Sequence, residues 1–301
     1  MSTESPSTES PSQAPRPITR TAAAAGAADT ATPAAAAQAL GRAVAEAVEV
    51  FETLRDDEWA LPCACPGWTL HTVLAHLTSG IAGITGLLPP EPPPPGLEFE
   101  AATDVQARAL TARPPAELLA LLRTAGPAAS ALFGALPPAL ASRQISMGTA
   151  GTYPFPSFAD ALTFDATCHL RWDVLAPRGP IQRDLPDVDP ARLSAAVRWL
   201  AGGIPQMTTR SFRDLLTDPL TIAITGPDPL SIHIAPHAQR VEITPTSNGT
   251  GPAAGTSRAT VRASAQDFVL WATGREPRQG RTEVLGDVAY ADRVLEELRV
   301  Y

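Results

Sequence analysis

Residues 65–80 read CPGWTLHTVLAHLTSG. They close a loop, LPCACPGW, and open an apolar run, TLHTVLAHLTSGIAGITGLL. No formally charged residue stands between Trp59 and Pro90, a length that would cross a bilayer. Two histidines and several Thr, Ser and Gly lower the run's hydrophobicity, and no arginine cluster flanks it. The reading is a buried helix of a helical bundle, not a transmembrane span.

Toward the N-terminus, Leu40, Val44, Val48, Phe51 and Leu54 recur at three- and four-residue steps. They predict a helix that starts at the capping pair Thr32-Pro33 and ends near Asp56. Residues 1–32, with STESP twice in succession, predict a disordered tail. No basic segment and apolar core mark a signal peptide there. Toward the C-terminus, PPEPPPPGL (89–97) cannot be helical. Helical patterning resumes from about Thr103 to Leu136, with breaks expected at Pro114-Pro115 and Gly126-Pro127. A loop follows from about Gly148 to Pro156. Ser157, with Asp160 three residues on, predicts a capping-box start for FADALTFDATCHLRWDVLA, which stops before Pro177.

Another helix starts at Asp189-Pro190 and is ended or kinked by Gly202, Gly203 and Pro205. The pattern then changes to period two in TIAITG, SIHIA, RVEIT and TVRAS, which predict strands. TSNGTGPAAGT is a long loop, and Asn248-Gly249-Thr250 within it is a turn. SAQDFVLWATGR is a helix capped by Ser264, and a last helix runs from about Val288 to Leu298. The expected fold is α+β. Residues 1–32 are the tail, 33–217 a helical domain with a trailing helix, and 218–301 a small mixed α/β domain.

The chain has 301 residues, consistent with about two domains. Its net charge of −8 and pI near 5.2 argue against nucleic-acid binding, which needs a basic face. All 23 basic residues are arginine. With abundant Ala, Pro and Gly, this points to a GC-rich genome such as an actinobacterium's. Three cysteines, Cys63, Cys65 and Cys168, do not make a disulfide scaffold and suit a reducing cytoplasm.

Asp165 and His169 lie four apart, which puts a carboxylate and an imidazole on one helix face. Asp173 continues the stripe, and His76 lies on the other helix between Leu74 and Leu77. Facing helices of a bundle can supply such N and O donors to a divalent metal, and three protein ligands leave one position open. The same spacing also suits a surface ion pair, and His76 also suits a hydrogen-bonded core histidine. His71, five residues before His76, points elsewhere round the helix. Cys63-Ala-Cys65 is one residue short of the common metal spacing. Cys168 reads as a small buried residue, and His233 and His237 as surface residues with no carboxylate set nearby.

CPGWTLHTVLAHLTSG resembles the second-helix motif of the mycothiol-dependent maleylpyruvate isomerase family, whose N-terminal domain is a DinB-like four-helix bundle. His76 takes the place of its first ligand. DATCHLRWD resembles the second motif, so Asp165 and His169 match the other two. FVLWATGR resembles the end of a helix in the family's sterol-carrier-like C-terminal domain, with Arg275 where the family carries a site arginine. The family's carboxylate ligand is usually Glu. Asp165 is one methylene shorter, so the helices must sit closer, a water must intervene, or the metal is held weakly. Trp172 and Asp173 match the pair after the His. Asp173 either orients an imidazole or bonds a loop backbone.

The resemblance implies a divalent metal, zinc by donor set, and mycothiol as thiol cofactor. A metal-activated thiolate would add to a small electrophile, ending in isomerisation or thiol transfer, with Arg275 holding a carboxylate. Taken with the charge, the cysteines and the apolar run, the expectation is a cytoplasmic monomer or homodimer with no nucleic-acid or membrane partner. A non-catalytic metal-binding or regulatory DinB-like protein fits the same residues.

Overall fold

The computed structural model describes residues 32–89, 96–237, 240–247 and 257–300. The expected tail through residue 31, part of the proline-rich connection and the Asn248-Gly249-Thr250 turn lie outside the described residues.

Helix α1 spans Pro33–Glu52. Thr32 accepts a hydrogen bond from the Ala35 N–H, and Pro33 sits where its missing N–H leaves nothing unpaired. Such a cap contributes about 1 kcal/mol. The helix ends four residues before Asp56, where the Thr53 hydroxyl donates to the Val50 carbonyl. Helix α2 spans Leu70–Ile84 and starts in a reciprocal cap between Thr69 and Thr72. Among the described residues no helix is long and apolar enough to cross a membrane.

Helices α3 (Phe99–Leu110) and α4 (Pro115–Gly134) are separated at Pro114-Pro115, as expected. Gly126-Pro127 does not break α4. An interior proline costs about 3 kcal/mol, and close packing on α1 offsets it. A Cβ on Gly126 would lie 2.7 Å from Val44 Cγ1. After the short α5 (Pro138–Ala141), strands β1 (Gln144–Ser146) and β2 (Thr152–Pro154) pair antiparallel, β2 falling within the stretch expected as a loop.

Helix α6 (Phe158–Cys168) passes into a π-helical turn, His169–Val174. The expected capping box at its start is absent. The Ser157 hydroxyl donates to the Pro154 carbonyl, and Asp160 is taken by Arg198. Helices α1, α2, α4 and α6 form a four-helix bundle around Leu40, Phe51, Leu74, Leu122 and Leu170.

Helix α7 (Pro190–Met207) is capped by Asp189 and runs through Gly202, Gly203 and Pro205 before it ends. Short α8 (Arg210–Leu215) follows. Strands β3 (Leu220–Thr225), β4 (Leu230–His237), β5 (Arg240–Ser247) and β6 (Ala259–Ser264) match the alternating segments. Helix α9 (Ala265–Ala272), strand β7 (Glu283–Gly286) and helix α10 (Val288–Glu296) complete the chain. Sheet order is β5-β4-β3-β6-β7, with β3 and β6 parallel and the other pairs antiparallel. Leu220, Ile222, Ile232, Ile234 and Val261 turn to one face, where a second core forms with α7, α9 and α10.

Helix α6 belongs to both cores. Leu162, Ala166 and Leu170 pack into the bundle, whereas Phe164, Cys168 and Trp172 pack toward α7. At 100° per residue, Asp165 and His169 fall on the seam between these faces. The polar site therefore sits where bundle and C-terminal region meet.

Candidate metal centre

The loop before α2 is built by its Pro-Gly pair. Trp68 N–H bonds the Cys65 carbonyl at 3.1 Å, and Gly67 has φ +74°. Pro66 at the second position and glycine at the third make a type II turn. Cys63 N–H bonds the Trp68 carbonyl, and Ala64 N–H bonds the Asp173 carbonyl, pinning the loop to the π-helical turn. The turn delivers Trp68 as a wall. Its ring lies 5.6 Å from that of His169, inclined by 27°, and 5.1 Å from that of His76. The Trp68 indole donates to Asp104 of α3 at 2.6 Å, which fixes the ring.

The three expected ligands converge. Single donor atoms of His76, Asp165 and His169 lie within 4.8 Å of one another. His76 Nε2 stands 3.6 Å from Asp165 Oδ2. Two donors on a tetrahedral zinc stand about 3.4 Å apart, given bonds of roughly 2.0–2.2 Å. The shorter aspartate arm thus meets its histidine at a spacing that suits a metal without an intervening water. Burial opposes ionisation of Asp165, but His76, His169 and Arg275 outweigh it and hold the carboxyl below its usual range. Burial lowers the His169 pKa, against the opposing hydrogen bond of Asp173. Both shifts run toward the unprotonated forms that a cation requires.

Asp173 resolves the two readings its position left open, because it touches the imidazole. Its Oδ2 lies 2.9 Å from His169 Nδ1, which leaves Nε2 for the His76–Asp165 side. The carboxylate is buried and held far below the ordinary range. Burial works against this, and His169 and Arg275 more than compensate.

Arg275 arrives through the end of α9. Gly274, with φ +67°, donates to the Trp271 carbonyl, and Arg275 N–H donates to the Leu270 carbonyl. This is a Schellman ending with glycine at the left-handed position. It aims Arg275 at Asp173, to which Nε donates at 3.1 Å and Nη2 at 2.6 Å. Nη1 has no hydrogen-bond partner among the described residues. Arg178 donates to the Trp172 and Arg275 carbonyls, tying the π-helical turn to the C-terminal region.

Sequence reasoning missed Trp68 as the site wall, Asp104 behind it, and Arg178. Only the Pro-Gly-Trp pattern signalled the first. Cys65 reaches the candidate ligands, with its Sγ 3.6 Å from His169 Nδ1. Cys168 is buried, as expected. His71 stays outside the centre, with Nε2 3.0 Å from the Arg113 carbonyl. His237 is exposed, with Glu242 3.9 Å away, so a carboxylate does stand near it. His233 is half-buried rather than a surface residue, its Nδ1 near the Thr221 and Ser257 hydroxyls.

A helical bundle with two imidazoles and a carboxylate at its seam with a small α/β unit defines a two-part protein with a candidate metal centre. Residues 40–175 match the family model for the mycothiol maleylpyruvate isomerase N-terminal domain, and residues 193–293 match that for the C-terminal domain of the same proteins. The chain belongs to the mycothiol maleylpyruvate isomerase family. Similar solved structures are those of a mycothiol-dependent maleylpyruvate isomerase and of a mutant of it. Each has 14% identity and a TM-score of 0.49, covering 83% of this chain and 91% of the other. No curated protein matches the chain.

Proposed function

We propose that this chain is a mycothiol-dependent metalloenzyme in which His76, Asp165 and His169 hold a divalent cation, zinc by donor set. The observation that carries the reading is the 3.6 Å approach of His76 Nε2 to Asp165 Oδ2 beside an imidazole whose other nitrogen is already engaged. When bound with one position open, such a cation supplies stabilisation of a thiolate near neutral pH.

The chain's own residues do the rest. Asp173 holds the proton on His169 Nδ1 and fixes the ring. Trp68 closes one wall over both imidazoles and limits water there. Arg275 holds Asp173 ionised, and its Nη1 is the donor left for an anionic group of cofactor or substrate. The reaction class is addition of a low-molecular-weight thiol to a small electrophile, ending in isomerisation or thiol transfer.

The test is elemental analysis of the purified protein beside its His76→Ala and His169→Ala variants, followed by turnover of maleylpyruvate with and without mycothiol. About one divalent ion per chain, lost in both variants, and thiol-dependent turnover are expected. Metal without such turnover would leave the binding or regulatory reading. No metal after zinc is supplied would overturn the ligand set.

A further inference from the structure

Two thiols in the CxC loop lie outside the ligand set, and the fold places them together. Cys65 N–H donates to Cys63 Sγ at 3.4 Å, and that sulfur lies 3.8 Å from the Cys65 carbonyl. A side chain accepting from the amide two residues on bends the chain at the residue between, as in an Asx turn. Residues two apart span at most about 7 Å. A bend shortens that into the roughly 4.4–6.8 Å between Cα atoms that a disulfide bridges. Both cysteines are half-buried in a loop whose Pro62, Pro66 and Gly67 are exposed. The third cysteine, Cys168, is fully buried on α6.

Cys65, His169 and Asp173 also bring donor atoms within 4.8 Å of one another, which could suggest a second cation. The Arg275 guanidinium already holds both oxygens of Asp173, and its charge opposes a cation there. Cys65 is therefore better read with its neighbouring thiol than as a ligand.

We propose that Cys63 and Cys65 form a thiol–disulfide pair at the edge of the metal centre, a modification site for low-molecular-weight disulfides. Cys63, as thiolate, attacks one sulfur of the small disulfide. A mixed disulfide forms at Cys63, and one small thiolate leaves and takes a proton. Cys65 then loses its proton and attacks Cys63 Sγ, and the second small thiol departs. The balance is one small disulfide reduced to two thiols and two cysteines oxidised to one cystine. The bond engages the same Cys65 Sγ that lies 3.6 Å from His169 Nδ1, so the loop's redox state bears on that imidazole. The proposal stands on loop geometry, not on the reaction assigned above.

The test treats the full chain with excess glutathione disulfide, quenches with acid, alkylates and measures intact and peptide masses. In wild type, two of the three thiols should resist alkylation, with no glutathione retained and the link mapped to Cys63–Cys65. Cys65→Ser should instead stop with one glutathione on Cys63. If both thiols of the wild type remain open to alkylation, the pair does not exist. If wild type halts at the mixed disulfide, Cys65 does not resolve it and the proposal is equally overturned. Either failure leaves the metal reading untouched, because elemental analysis tests that separately.

Discussion

His169 and His233 both sit among polar side chains, and they differ in what stands opposite. His169 faces the carboxylates of Asp165 and Asp173, the imidazole of His76 and the thiol of Cys65. His233, on the sheet, hydrogen-bonds among the described residues to the hydroxyls of Thr221 and Ser257. Both histidines have their pKa lowered by burial. Burial therefore does not separate them; anionic and imidazole donors do, because a transition-metal cation is selected by that set. A neutral hydroxyl pair gives a hydrogen-bonded strand position instead.

The largest expected effect breaks the first cluster outright. Asp165→Ala removes the carboxylate grouped with His76 and His169, and zinc affinity should fall more than about 100-fold, beyond the range expected for an outer hydrogen-bond partner. Competition with a chromophoric chelator measures it. Unchanged affinity would mean that the two imidazoles bind without Asp165.

Arg275→Ala should come next, in stability rather than in metal content. It leaves the buried Asp173 without its guanidinium, and stranding one member of a buried pair costs about 3–5 kcal/mol. Urea unfolding would register this as a lower midpoint. A loss below about 1 kcal/mol would show that water or Arg178 replaces the lost partner.

These two variants also mark the limit of what the sequence discloses. The meeting of His76, Asp165 and His169 is legible because four-residue spacing and two local motifs carry it. The reach from Arg275 to Asp173 spans 102 positions, and only the glycine-ended helix hinted at it. Cys65 against His169 and Trp68 against Asp104 are likewise meetings of distant segments. Strands β1, β2 and β7 have three or four residues each, too few for alternation to stand out. Pro127 predicted a break because local propensity was read without the packing that overrides it. The π-helical turn has no sequence signal, yet it carries His169 and Asp173.

Asp173→Asn sharpens the comparison from inside the first cluster. An amide oxygen can still accept from His169 Nδ1, but the charge is gone. Outer partners of metal-bound histidines are worth about 10–100-fold in affinity, or roughly 1.4–2.8 kcal/mol. Zinc titration of the variant should show a loss in that range, smaller than that for Asp165→Ala. A loss as large as the ligand variant's would mean that Asp173 itself binds the ion.

The smallest effect belongs to the second cluster. His233→Ala removes an imidazole whose partners among the described residues are hydroxyls, and Thr221 and Ser257 keep each other as partners at 2.7 Å. No buried charge is stranded, so the cost is that of an ordinary hydrogen bond, about 0.5–1.5 kcal/mol. Zinc content and affinity should match wild type within error. If they fall, a second cation site lies on the sheet face, and the distinction drawn from the donor set is wrong. If only the unfolding midpoint shifts slightly, the difference between the clusters lies in the carboxylates, not in the histidines.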